Sequence, residues 1–69
     1  MNPDTLIYYF ADHQGRRFAF LNEEYARDCR APDLEDQEVH QTTFGALLAE
    51  QPRALIHVQQ QYYWMSDLA

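Results

Sequence analysis

The fold is decided by the stretch Thr5-Leu6-Ile7-Tyr8-Tyr9-Phe10-Ala11-Asp12-His13-Gln14-Gly15-Arg16-Arg17-Phe18-Ala19-Phe20-Leu21. Two runs rich in β-branched and aromatic residues flank a segment of turn-forming residues, which is the pattern of two strands joined by a short loop. A three-residue loop over residues 13–15 gives Gly15 the left-handed position of a type I turn with a bulge, where the absence of a Cβ avoids strain. The stretch therefore predicts an antiparallel β-hairpin.

The loop length also fixes which side chains meet across the hairpin. It opposes three pairs of residues on one face, namely Asp12 and Arg16, Phe10 and Phe18, Tyr8 and Phe20. Aromatic pairs and an ion pair each contribute a few tenths to about 1 kcal/mol, which favours this register. The other face carries Ile7, Tyr9, Ala11, Arg17, Ala19 and Leu21. Because both faces hold apolar residues, we expect each of them to be covered.

Helix signals follow the hairpin. Asn22 is a good N-cap, and two acidic residues after it suit the helix dipole, so the sequence predicts a helix from Glu23 to about Arg30 that Pro32 ends. Cys29 is then a small hydrophobe on the inner face of this helix. Further along, Thr42 or Thr43 caps a second helix, in which Phe44, Leu47, Leu48 and Gln51 follow the i, i+3, i+4, i+7 spacing of one helix face.

The stretch Arg53 to Met65 fits two templates. As a strand it places one set of side chains on a single face, namely Ile56, Val58, Gln60, Tyr62 and Trp64; as a helix it forms a stripe of Leu55, Val58, Tyr62 and Met65. Its many β-branched and aromatic residues favour a strand with a bend around residues 59–61. The predicted fold class is therefore α+β, with an antiparallel hairpin, one or two short helices and a C-terminal strand, and the alternative is a hairpin with a helical bundle.

The length and composition of the chain limit which class of protein it can be. The 69 residues predict one small domain over residues 1–69. A chain of this size buries only about 60% of its unfolded surface, and its single cysteine excludes an internal disulfide, so oligomerisation is the expected support and we predict a homodimer. The lone thiol and the lack of a signal peptide or an apolar run long enough to span a bilayer predict a cytoplasmic protein without membrane contact.

Several chemistries lack the residues they need. Eleven acids against five arginines give a formal charge of -6, so nucleic acid is not an expected partner. The three histidines and Cys29 are scattered, so we expect no metal and no cofactor. A cysteine nucleophile would need a base, an orienting group and an oxyanion hole that no local motif supplies. We therefore expect a protein that is not an enzyme.

Two features predict a protein-binding surface. The first is an acidic segment formed by Asp33, Glu35, Asp36 and Glu38, which would steer the protein onto a basic surface such as a DNA-binding domain. The second is the cluster Tyr62, Tyr63, Trp64 and Met65, because tyrosine and tryptophan dominate interface hot spots.

The whole-chain profile, short, acidic and free of lysine, resembles the small host-takeover inhibitors that bacteriophages encode, such as anti-CRISPR proteins and quorum-sensing anti-activators. The resemblance implies a stoichiometric inhibitor of a bacterial host protein, for instance a transcriptional regulator. It rests on no motif, so it assigns no site residue. The alternative is a small DNA-binding regulator or antitoxin-like protein, which requires all five arginines to gather on one face.

Overall fold

The chain folds as one five-stranded sheet with two short α-helices, and the computed structural model describes all of residues 1–69. In chain order the elements are β1 (Leu6–Ala11), β2 (Arg17–Phe20), α1 (Glu23–Asp28), a first 3₁₀ turn (Pro32–Leu34), β3 (His40–Thr43), α2 (Phe44–Glu50), β4 (Leu55–Val58), β5 (Gln61–Trp64) and a second 3₁₀ turn (Met65–Leu68). The strand order is β3-β1-β2-β4-β5. The predicted α+β class is confirmed. Neither helix combines the length and the apolar character that a membrane crossing needs.

The N-terminal hairpin has the predicted register. Tyr8 lies opposite Phe20, and Phe10 lies opposite Phe18. The backbone N–H of Asp12 donates to the carbonyl oxygen of Arg16 at 2.9 Å, and Gly15 has a φ of 81°, in the left-handed region. Local turn chemistry therefore sets the pairing of these strands.

Both predicted caps form, but the first helix is shorter than predicted. The side chain of Asn22 accepts from the backbone N–H of Tyr25, and that of Thr43 accepts from Ala46. Helix α1 ends at Asp28, so Cys29 occupies its exposed C-cap position rather than its inner face. The buried position of α1 belongs to Ala26 instead.

The C-terminal third forms two strands rather than the single bent strand that the sequence predicts. Residues 55–58 and 61–64 form a tight hairpin whose turn residues, Gln59 and Gln60, have φ values of 52° and 70°. The left-handed region costs a residue with a Cβ about 1–2 kcal/mol, which is why a sequence without glycine or asparagine there did not predict this turn.

The turn changes which residues share a face. Tyr62 lies opposite His57, and Trp64 lies opposite Leu55. Because cross-strand partners point to the same side, Tyr62 and Trp64 are on the face opposite Ile56. The prediction that a single strand carries these three side chains on one face is wrong, since the two-residue reversal shifts the alternation.

Two pairings in the sheet join distant parts of the chain. Strand β3, which the sequence did not predict, consists of four polar residues and pairs antiparallel with β1. Strand β4 runs parallel to β2, with Phe18 beside Leu55 and Phe20 beside His57. Such a parallel pair requires a long crossover connection, here through α1, β3 and α2, so the sheet is mixed rather than antiparallel throughout.

The sheet has two unlike faces. The α2 face is covered by α2 and the second 3₁₀ turn, and its core consists of Ile7, Ala19, Phe44, Leu47, Ala54, Ile56 and Met65. The aromatic face is covered in part by α1 and the first 3₁₀ turn through Ala26 and Leu34. By register it carries Tyr8, Phe10, Phe18, Phe20, Leu55, His57, Tyr62 and Trp64.

Candidate protein-binding site

A continuous network of rings runs across the aromatic face. The imidazole of His57 is central, with its ring centroid 5.3 Å from that of Phe20 and 5.1 Å from that of Tyr62. Tyr62 also meets Phe18 edge-on at 6.1 Å, and Tyr25 of α1 meets His57 at the same separation. The network is only half covered, because Tyr25 is 54% exposed and Tyr62 is 48% exposed.

An apolar cavity opens between this network and the loop after α1. It has a volume of about 140 Å³ and is lined by Phe10, Phe18, Cys29, Ala31, Leu34 and Tyr62. An adjoining cavity of about 370 Å³ shares Phe18, Ala31 and Leu34 with it and adds the side chains of Asp12, His13, Gln14 and Asp33. We call the two cavities together the aromatic groove. One end is purely apolar, and the other end is polar and acidic.

The loop that forms one wall of the groove is held in place from within. Arg30 donates from its Nη1 to the carbonyl oxygen of Gln37 at 2.6 Å, which closes the loop over residues 30–37. The Nε of Arg30 is buried without a hydrogen-bond partner. Leu34 anchors the loop in the core of the aromatic face, and its backbone N–H donates to Ala31 at 2.8 Å. The loop therefore holds Asp33, the first residue of the acidic segment, at the edge of the groove.

All four residues of the acidic segment are exposed. The Nε2 of His13 lies 3.4 Å from the Oδ2 of Asp33 across the polar end of the groove. Helix α1, which covers the same face, adds three exposed acids, Glu23, Glu24 and Asp28. Only Glu23 among these three is paired, with Arg27 at 3.4 Å. The groove is thus an apolar slot with a mostly unneutralised acidic surround.

The partly buried position of Tyr62 in the groove changes the pKa of its phenol. Burial raises the pKa of Tyr62 above its ordinary value of 10.0, and the nearby Cys29 adds to the shift through charge repulsion between the ionised forms. Its phenol therefore keeps its proton and remains a hydrogen-bond donor across the neutral and mildly alkaline range.

The structure separates the four residues of the predicted aromatic cluster. Tyr62 lines the groove, whereas Tyr63 lies on the other face of the sheet, where its hydroxyl donates to Gln61 at 3.0 Å. Trp64 is on the aromatic face beside two arginines. Met65 is fully buried in the core of the α2 face, so it cannot belong to the predicted binding surface. Sequence reasoning missed the groove residues Phe18, Ala31 and Leu34, although the hairpin register already placed Phe18 on this face.

The five arginines do not form one basic face. Arg17 pairs with Glu50 at 3.1 Å and lies on the α2 face, and Arg27 pairs with Glu23 on α1. Arg30 donates a hydrogen bond to the carbonyl oxygen of Gln37 within its own loop. No group of three or more His, Cys, Asp or Glu side chains converges on a metal-sized site.

Comparison with protein-family models, with curated proteins and with solved structures finds no match for this chain.

Proposed function

We propose that this chain is a non-enzymatic, cytoplasmic protein-binding inhibitor or modulator that docks stoichiometrically on a bacterial host protein. The observation that carries the proposal is the aromatic groove, an apolar slot with Asp33 at one end and exposed acids around it. Buried aromatic anchors with a charged surround are the usual composition of a protein interface.

Charge complementarity supports a partner with a basic surface. The exposed acids near the groove face a partner whose docking surface is basic and carries an apolar side chain that fills the slot. The acids accelerate encounter and fix orientation, while the apolar contact with Phe18, Leu34 and Tyr62 supplies the affinity. A DNA-binding surface of a transcriptional regulator has this basic character, and occupying it would block its DNA contacts. Direct DNA binding by this chain is the less supported alternative, because three of the five arginines are engaged internally.

Self-association is part of the proposal. Strand β5 is an edge strand, and its residues Gln61–Trp64 include no charge and no proline, the usual devices that prevent edge pairing. Two copies can pair their β5 edges antiparallel about a two-fold axis. We expect sedimentation velocity to show a dimer that Tyr63→Lys weakens, and a monomer at all concentrations would contradict this assignment.

The main test is capture of a partner from bacterial lysate with matched variants, followed by binding measurements on the purified pair. Tyr62→Ala opens the apolar end, and the double variant Asp36→Asn, Glu38→Gln removes two charges from the acidic segment. The control, Asp4→Asn with Asp67→Asn, removes two exposed acids outside the segment, so the net charge matches.

We expect the wild type and the control to retain one protein at a 1:1 ratio, and both groove variants to lose it. The affinity for the purified partner should fall as salt rises, and adding the chain at equimolar amount should suppress the partner's activity. A partner that all variants retain equally would refute the assignment of this surface, and so would the absence of any stoichiometric partner.

A further inference from the structure

Two arginines meet at one corner of the aromatic face because of the strand register. Phe18 of β2 pairs with Leu55 of β4, and each of them is preceded by an arginine two residues earlier, Arg16 and Arg53. Arg16 immediately precedes β2 and Arg53 lies two residues before β4, so both arginines stand at the same end of these neighbouring parallel strands. Trp64 of β5, which pairs with Leu55, lies beside them.

The contacts confirm this convergence. The guanidinium carbon of Arg16 is 5.6 Å from the centroid of the Trp64 ring, and that of Arg53 is 5.2 Å from it. Both separations lie within the range of cation–π attraction, which holds each guanidinium near the indole without neutralising its charge. We call these three residues the arginine corner.

The positive charge of the arginine corner has no internal counterpart. Neither the Arg16 nor the Arg53 side chain forms an ion pair or a hydrogen bond, although the chain carries eleven acids. Both residues are exposed, so an anion can reach the two guanidinium groups from solvent.

A concave and preorganised surface lies at this corner. A cavity of about 250 Å³ is lined by Gln14, Gly15, Arg16, Gln51 and Arg53, with no carboxylate and no apolar side chain. The carboxamide of Gln51 accepts from the backbone N–H of Arg17 at 3.2 Å and donates to the carbonyl oxygen of Gly15 at 3.4 Å. The carboxylate of Asp12 accepts from the backbone N–H groups of Gln14 and Arg16 at 2.9 and 2.8 Å. The backbone around the cavity is thus fixed before any ligand arrives.

We propose that the arginine corner is a binding site for the phosphate group of a small phosphate monoester. The planar donors of a guanidinium match phosphate oxygens, and two guanidinium charges balance the charge of about -1.5 to -2 that a phosphate monoester carries near pH 7. A single carboxylate would leave one of these charges unbalanced. The site is independent of the proposed protein-binding function, because neither Arg16 nor Arg53 lines the aromatic groove.

The test uses the fluorescence of Trp64, the only tryptophan of the chain, as a local reporter. Inorganic phosphate is titrated into the full chain at constant ionic strength, with chloride as the reference anion. We expect a saturable change with phosphate alone, and an affinity about tenfold or more weaker in the double variant Arg16→Gln, Arg53→Gln, since hydrogen bonds to charged groups are the strong ones. Arg27→Gln removes one arginine that pairs on α1, outside the corner, and should bind as the wild type does.

A second readout does not depend on the tryptophan. Phosphate should raise the unfolding temperature of the wild type and of Arg27→Gln relative to chloride, and the double variant should lose this shift. The single variants Arg16→Gln and Arg53→Gln repeat the comparison with a smaller change to the fold. Equal effects of phosphate and chloride, or a phosphate effect that survives the double variant, would overturn the proposal.

The source of the phosphate is distinguished by a third arm. Adenosine monophosphate and adenosine are compared with inorganic phosphate by the shift of the Trp64 indole N–H signal in nuclear magnetic resonance. Tighter binding of the monophosphate, with none of adenosine, supports a phosphorylated organic ligand, and equal binding of phosphate and monophosphate supports recognition of the phosphate group alone. Binding of adenosine as strong as that of the monophosphate would contradict a phosphate site.

Discussion

The two faces of the sheet bury apolar residues in different ways. On the α2 face, aliphatic side chains such as Ile7, Leu47 and Ile56 are fully enclosed, and only residues at the margin remain accessible. On the aromatic face, Phe20 is fully enclosed, but the rings around it, such as Tyr25 and Tyr62, are about half exposed. The α2 face therefore stabilises the fold, whereas the aromatic face leaves apolar area exposed to solvent.

The largest expected effect tests this division of roles. Leu47→Ala removes a fully enclosed side chain from the α2 face and should lower the free energy of unfolding by about 2–5 kcal/mol, because it leaves a cavity. Tyr62→Ala on the aromatic face should lower it by about 1 kcal/mol through lost ring contacts. Urea unfolding measures both changes, and equal losses of stability would contradict the assigned difference between the two faces.

The close fit on the α2 side is tested by Gly45→Ala. A Cβ at Gly45 would lie 2.8 Å from the Cβ of Pro3 and 3.2 Å from its carbonyl oxygen. The backbone N–H of Gly45 also donates to that oxygen at 2.9 Å, so the two segments cannot separate without losing this bond. We expect a loss of about 1–3 kcal/mol in thermal unfolding despite the better helix propensity of alanine. Ala46→Ser, at the next and exposed position, is the control.

The smallest expected effect concerns the aromatic face at high pH. The raised pKa of Tyr62 means that the folded state holds this proton more tightly than the unfolded state does. The resulting stabilisation is fully present below the unfolded pKa of about 10 and is lost as the pH rises through the folded pKa. A strongly alkaline pH should therefore destabilise Tyr62→Phe less than it destabilises the wild type, when each protein is compared with its own stability at pH 7.

Circular dichroism against pH measures this difference. Tyr63→Phe, which changes a neighbouring tyrosine on the other face, should keep the alkaline sensitivity of the wild type. Identical alkaline profiles for the wild type and Tyr62→Phe would show that the partial burial of Tyr62 does not affect stability.

Local chemistry made part of the fold predictable. The loop ending in Gly15 fixes the hairpin register, and the side chains of Asn22 and Thr43 determine where the helices begin. Each of these signals lies within a few residues of the feature it specifies, so sequence patterns detect it. The exposure of the acidic segment follows from its composition, whereas the sequence left open which of Tyr62, Tyr63 and Trp64 faces outward.

The rest depends on contacts between distant residues. Nothing near Phe18 indicates that it lies beside Leu55, yet this pairing brings Arg16, Arg53 and Trp64 together. The polar strand β3 forms because β1 offers it an edge, not because its residues favour strands. Burial of Met65 likewise follows from the second 3₁₀ turn folding back onto α2, which no periodicity in the last residues reveals.

The parallel pairing of β2 with β4 has a consequence for synthesis on the ribosome. The first hairpin can form early, but the edge of β2 that β4 will occupy stays open until residues 55–64 have emerged. During that interval the edge of β2 that contains Phe18 and Phe20 is unpaired, so it can pair with strands of other nascent chains. Because so many of its contacts join distant residues, we expect slow folding for so short a chain, and products truncated before β4 should aggregate rather than persist as partly folded monomers.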